Sequence, residues 1–156
     1  GTAIGALFLK MARQPRLVLA SRAIADVIVG EPSTEELARI GGTLDPIAFG
    51  GSSLGRGIRE HRYLGKLKLI GQTELRGQFL DVTLWDQDLS FGAAVFSDVA
   101  MIGKDIADLG PQHPLLTAGV SWRILWNKNF AVCWDLAASP DEQEGPGFYI
   151  IVGQAF

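Results

Sequence analysis

The feature that most constrains this chain is a period of two in its hydrophobicity, held over long stretches. Phe130, Val132, Trp134, Leu136 and Ala138 alternate with Ala131, Cys133, Asp135 and Ala137, which are small or charged. Over 116–126, Leu116, Ala118, Val120, Trp122, Ile124 and Trp126 alternate with Thr117, Gly119, Ser121, Arg123 and Leu125. A helix mixes two such sets around its axis, whereas a strand sorts them onto opposite faces. Over 64–79 the sets are Leu67, Leu69, Gly71, Thr73, Leu75 and Lys66, Lys68, Ile70, Gln72, Glu74, Arg76. Over 89–101, Ala93, Val95, Ser97 and Val99 oppose Ala94, Phe96, Asp98 and Ala100. Over 17–29, Arg22 and Asp26 oppose Leu17, Leu19, Ala23, Ala25 and Val27, and weaker patterns cover 3–12 and 148–156. The chain is therefore all-β, with about seven strands of about 9–13 residues. Such strands exceed the ~5–6 residues usual in soluble sheets and match the ~9–11 that cross a bilayer at a tilt.

Composition closes off several classes. The 156 residues fit one domain, and an apolar share of 47% is that of a folded protein. A net charge of −3 gives no electrostatic case for nucleic acid. One cysteine and two histidines allow neither a disulfide framework nor a closed zinc site. No stretch has the ~18 consecutive apolar residues of a membrane helix, which leaves membrane strands open. The chain starts at Gly1 and reads as a processed or truncated piece.

Long and short connections alternate. Arg13-Gln14-Pro15 is short, 31–63 is long, 81–88 is a medium link, 102–114 is long, Asn127-Lys128-Asn129 is tight, and 139–147 is long. Every long connection then falls on one rim, the habit of outer-membrane barrels. The short-turn rim collects Phe79, Trp85, Trp126, Phe130 and Phe156, and the other rim has Tyr63, Phe148 and Tyr149. Two aromatic belts are expected where strands cross two lipid–water boundaries. Within the longest connection, Ser33-Thr34-Glu35-Glu36 has capping-box spacing ahead of Leu37-Ala38-Arg39-Ile40, so one short helix is expected, ended by Gly41-Gly42.

Residues 51–66, Gly-Ser-Ser-Leu-Gly-Arg-Gly-Ile-Arg-Glu-His-Arg-Tyr-Leu-Gly-Lys, resemble the Arg-Gly loop of the bacterial surface-antigen family of outer-membrane barrels, the assembly and translocation barrels of the BamA and TamA type. Gln72-Thr73-Glu74-Leu75-Arg76 is similar to the strand after that loop, and Val95-Phe96-Ser97-Asp98-Val99-Ala100 to the next, with Ala100 in place of the family's usual glycine. Val152-Gly153-Gln154-Ala155-Phe156 is similar to the family's terminal strand, its assembly signal. The resemblance covers about 50–156 and is looser before that.

The resemblance implies an antiparallel up-and-down transmembrane β-barrel segment. It is the carboxyl-terminal portion of a larger barrel, with 1–30 as two strands, 31–63 as the long Arg-Gly loop and 64–156 as the last five strands. An amino-terminal barrel half and periplasmic domains are expected elsewhere. It also implies a bacterial outer-membrane location and a role in inserting barrel proteins or translocating polypeptide, with lipid and unfolded clients as partners, no catalysis, and no metal or other cofactor. The loop folds inward, so that Arg56, freed by Gly57 and Gly55, pairs with Glu74 and Asp98; solvated charges in a wet lumen are the bland alternative. On the last strand Phe148, Ile150, Val152 and Phe156 share a face, and Gly153 permits a bend that favours exchange of strand partners.

Other readings stay open at this point. A barrel appended to an upstream secreted enzyme shares the fold, and a soluble β-sandwich binding an apolar ligand does not. Gly51-Ser52-Ser53-Leu54-Gly55 satisfies the hydrolase elbow G-x-S-x-G but lacks its strand–turn–helix context. His61 and His113 fall in loop-like segments, the basic run from Arg56 to Lys68 reads as loop or lumen charge, and Cys133 reads as a small inward strand residue.

Overall fold

Strand follows strand in simple succession in this chain. A computed structural model describes residues 1–13, 15–41, 47–105, 113–127, 130–143 and 145–153. Its elements are β1 (Thr2–Ala12), β2 (Arg16–Val27), α1 (Thr34–Ala38), β3 (Arg39–Ile40), β4 (Ile47–Ala48), β5 (Leu67–Leu84), β6 (Gln87–Gly103), β7 (Leu115–Trp126), β8 (Phe130–Ala138) and β9 (Gly147–Val152). Seven of them form one antiparallel sheet in the order β1-β2-β5-β6-β7-β8-β9, and β3 pairs only with β4. Because neighbours in the sheet are neighbours in sequence, the connections alternate between two rims. The long ones, 28–66, 104–114 and 139–146, share a rim.

Register keeps each face chemically uniform. One row runs Leu19, Leu75, Val95, Val120, Leu136, Phe148 across six strands. The next runs Val18, Arg76, Ala94, Ser121, Asp135, Tyr149 across the same strands. The first row belongs to a bare face on which Val95, Val120, Leu136 and Phe148 lie exposed. The second belongs to a face covered by the long connection, where Lys68, Gln72, Glu74, Asp98, Arg123 and Asp135 are buried. The partition is the reverse of a soluble fold, in which charge faces water and apolar side chains pack. A sandwich would trap Trp122 and Trp134 between stacked sheets. Here there is one large sheet, with Trp122 48% exposed on its bare face.

Three local expectations are corrected. Residues 81–88 are not a link: β5 and β6 continue into a hairpin closed by Trp85-Asp86, both at positive φ, as a two-residue type I′ turn demands. A bulge at Phe79 shifts the register between Gln78 and Leu80. Beyond it Leu80, Val82 and Leu84 pair with Phe91, Leu89 and Gln87. The bulge thus keeps leucines on the bare face although their sequence parity has changed, and β5 and β6 reach 18 and 17 residues, beyond the expected length. The helix has its capping box at Ser33 and Glu36 but stops at Ala38, because Arg39-Ile40 leaves to pair with β4. Tyr63 and Tyr149 keep to the expected long-connection rim but turn to the covered face, away from an outward aromatic belt. Tyr63 packs edge-on to Phe49 with centroids 6.3 Å apart, and the Tyr149 hydroxyl accepts from the Gly57 N–H.

Two outcomes follow from these local features. Replacing Asp86 with Gly removes a side chain held at φ 57° and should raise unfolding stability by about 0.5–1 kcal/mol, read as a higher Tm. Glu36 titrates below the ordinary glutamate range because the Ser33 backbone N–H, and then its hydroxyl, donate to the carboxylate. A depressed folded pKa stabilises the helix above the unfolded pKa, and that contribution is lost as pH falls through the folded one. Amide exchange at Glu36 and Leu37, corrected for intrinsic rates, should therefore accelerate in acid; Ser33→Ala, which keeps the backbone donor, should only weaken that dependence, and Glu36→Gln should abolish it.

Candidate functional site

The long connection reaches the site because its apolar residues dock it. Ile40, Phe49, Leu54 and Ile58 are buried against Ile24, Ile70, Ala100 and Leu115 of the sheet. The loop also closes on itself: Gly50 N–H donates to the Leu54 carbonyl (2.7 Å), Gly51 N–H to that of Ile58 (2.8 Å), and His61 N–H to that of Phe49 (3.2 Å). Burying each such side chain is worth about 1.5–3 kcal/mol, so together they exceed the several kcal/mol that one buried charge costs. At the root of the loop, the buried Lys68 ammonium lies 3.3 Å from Asp26 and donates to the Arg39 carbonyl at 2.8 Å.

The docked tip carries Arg56 into the sheet's charged rows. Its side chain is 0% exposed. Nη1 donates to Glu74 Oε1 at 2.6 Å and to Asp135 Oδ2 at 3.0 Å. Nη2 and Nε fork onto Asp98 at 3.2 and 3.3 Å, and the Arg56 backbone N–H donates to the same carboxylate at 3.2 Å. Phe96 lies beneath, its ring centroid 3.4 Å from Cζ. The second oxygen of Glu74 accepts from Arg76 Nε and Arg123 Nη2, each at 2.7 Å. Glu74, Asp98 and Asp135 thus meet Arg56, Arg76 and Arg123, a group of zero formal charge. Neutrality and forked, charge-assisted bonds are the conditions under which buried charge is tolerated. The loop backbone joins the sheet too: the Ser53 carbonyl accepts from Gln72 Nε2 (3.1 Å) and Arg22 Nη2 (3.4 Å).

The glycines beside Arg56 are required by space as well as by conformation. Gly57 has φ +90°, and a Cβ there would lie 2.9 Å from the Ala138 nitrogen, in the backbone of β8. At Gly55, φ +67°, a Cβ would meet the Phe49 ring at 2.7 Å. Any L side chain at these positions is strained; at 57 it also pushes the loop off β8, and at 55 it pushes against the Phe49 ring of the loop itself.

The structure brings Arg56, Gly57, Glu74 and Asp98 together. Sequence reasoning missed Asp135, Arg123, Arg76 and Tyr149. Asp135 and Arg123 carried a usable signal, since each is the charge that interrupts the small-residue face of its strand. Tyr149 was hidden by its aromatic class. Phe148, Ile150 and Val152 lie on the bare face, 62–67% exposed and away from the cluster. Gly153 follows the last pair of β9 and donates its N–H to the Ala131 carbonyl at 2.7 Å, and Phe156 lies outside the described residues. Ser53 of the G-x-S-x-G match sits among turns with no helix after it, and His113 is exposed 3.9 Å from Asp141. Cys133 is buried on the covered face. Among the described residues no set of three His, Cys, Asp or Glu is placed to hold a metal ion; the clustered acids hold guanidinium. No family, curated protein or solved structure matches the chain.

Truncating Arg56 to Ala takes the guanidinium from Asp98 and Asp135 in a closed site, while Glu74 keeps Arg76 and Arg123, and should cost about 3–5 kcal/mol in unfolding free energy. Asp98→Asn should cost more than Asp135→Asn. Asp98 takes three bonds from Arg56, whereas Asp135 takes one and its Oδ1 has no hydrogen-bond partner. Denaturant titration of the three variants orders them.

Proposed function

We propose that this chain is a segment of a transmembrane β-barrel of the bacterial outer membrane that works in inserting barrel proteins or moving polypeptide across that membrane. The observation that carries the membrane half is the reversed partition of the sheet. A continuous row of Leu75, Val95, Val120, Leu136 and Phe148 stays exposed while Arg56, Glu74, Asp98, Arg123 and Asp135 are buried behind it. Soluble monomers rarely expose contiguous apolar patches above a few hundred Å². Hydrocarbon is the solvent for which that face is suited, and the covered face then lines the lumen. β2, β7 and β8, at 12, 12 and 9 residues, have the length to cross. Lipid does not tolerate open strand edges, and among the described residues β1 pairs only with β2 and β9 only with β8. In the membrane both edges take further strands, and the barrel they complete is larger than this sheet.

The polypeptide half rests on the residues that resemble surface-antigen barrels, above all the Arg-Gly loop. Support comes from Arg56 reaching Glu74 and Asp98 on the two strands after the loop. The work makes and breaks no covalent bond. Backbone hydrogen bonds at a strand edge are handed to an unfolded client by strand addition. No cofactor is needed for this, and the partners are lipid and client polypeptide.

Bilayers with brominated acyl chains test the membrane half. Trp122 and Trp134 alternate with buried covered-face residues and should lose most of their emission. A protein that stays monomeric in detergent-free buffer with unquenched tryptophans overturns the reading. Vesicles containing the protein should also fold an added, urea-unfolded outer-membrane porin faster than empty vesicles. Equal rates leave the barrel reading standing and remove the assembly role.

A further inference from the structure

The strand β9 is held by more than its own ladder. β9 pairs with β8 over Val132↔Val152 to Ala137↔Gly147, and its outward residues Phe148, Ile150 and Val152 pack on nothing that shields them. On the covered face Tyr149 is different. Its hydroxyl accepts the Gly57 N–H at 3.0 Å, across 92 residues of sequence. Tyr149 stands opposite Asp135, the β8 acid that binds Arg56 at 3.0 Å. Gly57 meanwhile lies so close to the β8 backbone at Ala137 and Ala138 that no Cβ fits between. The connection from β8 to β9 is tied to the same loop, because the Glu142 carboxylate accepts from the Arg59 N–H at 3.3 Å and pairs with Arg62.

We infer that the long loop is a strap on β9: the Gly57–Tyr149 hydrogen bond, beside the Arg56–Asp135 ion pair, couples the seating of the loop to the seating of that strand. When β9 peels from β8, Tyr149 leaves Gly57, the Gly57 N–H loses its acceptor and the loop tip loosens over Asp135. By linkage the converse holds, so a loop displaced at Arg56 frees β9. The inference deepens the proposed function, in which the edge of this sheet is where strands are exchanged. In that setting the strap is an inhibitory contact, and the strand becomes available only when the loop yields. Tyr149 acts here as a positioning residue, through the loop and not on a client.

Tyr149→Phe keeps the ring and removes only the hydroxyl. Amide hydrogen exchange on the intact protein in detergent micelles or bilayers reads both ends of the strap, since exchange reports local opening. Loss of one neutral hydrogen bond should speed exchange of 149–152 in β9 roughly fivefold. Residues 54–58 of the loop should accelerate with it, while the amides shared by β5 and β6 stay unchanged. Arg56→Lys, altered at the other end, should accelerate 149–152 as well. Faster exchange in β9 with a loop at the wild-type rate overturns the coupling, and so does no change at either end. A rise spread equally over β5 and β6 overturns it too, because that is general loosening. The readout is independent of clients. Coupled exchange without bromine quenching removes the membrane reading and keeps the strap, whereas quenching without coupled exchange does the reverse.

Discussion

A guanidinium taken out of water must meet carboxylate, and the arrangement of this chain follows from that requirement at Arg56. Its fork needs acceptors from several directions, and β5, β6 and β8 each supply one carboxylate on the covered face. To reach them the loop tip must lie against β8, which leaves room only for glycine at 57, and fold tightly on its own Phe49, which leaves room only for glycine at 55. To avoid excess negative charge the same rows must also carry cations, and Arg76 and Arg123 close onto Glu74. A single unmatched member would cost more than an ordinary surface ion pair contributes, because the site is closed to solvent.

Docking and specification fall to different parts of the loop. Ile40, Phe49, Leu54 and Ile58 provide most of the attraction, but apolar contact is non-directional and would accept a loop displaced by a residue. The ion cluster has little net energy to add once desolvation is counted, yet a shift of one position leaves Arg56 facing the wrong rows. Hydrophobic residues therefore bring the loop down and charge fixes where it lands. This division explains why the apolar cluster and the charged rows occupy separate bands of the covered face, Ile24–Ile70–Ala100–Leu115 in one and Glu74, Asp98 and Asp135 in the other.

Much of the sheet was legible because its period is strict. Ala94, Phe96, Asp98 and Ala100 sort to the covered face as their parity requires, and so do Ala131, Cys133, Asp135 and Ala137. Legibility failed where parity breaks. The bulge at Phe79 shifts the pattern by one residue, so Leu80, Val82 and Leu84 fall out of phase with the strand they extend, and 81–88 reads from sequence as a link. The helix end failed for another reason: whether Arg39 and Ile40 continue a helix or pair with β4 is decided by tertiary contact, not by local preference. At the site, Arg56, Glu74 and Asp98 each lie in one of the short motifs that carry the resemblance, 51–66, 72–76 and 95–100. Asp135 lies 79 residues from Arg56 and Tyr149 lies 92 from Gly57, distances over which spacing carries no information.

Those same separations order the assembly of the site. Contacts between distant residues close late, since chain entropy must be overcome before they return any energy. The hairpin of β5 and β6 is local and presents Glu74 and Asp98 on adjacent strands. A loop arriving at this stage finds two acids, and Glu74 is already the partner of Arg76 two residues on. Only when β7 and β8 have joined do Arg123 and Asp135 arrive together, one charge of each sign, so the cluster stays balanced as it closes. β9 then adds the acceptor for Gly57. A fully seated loop thus depends on β7, β8 and β9 as well as on β5 and β6, and in the proposed strap the tip of one connection is where the state of β9 is felt.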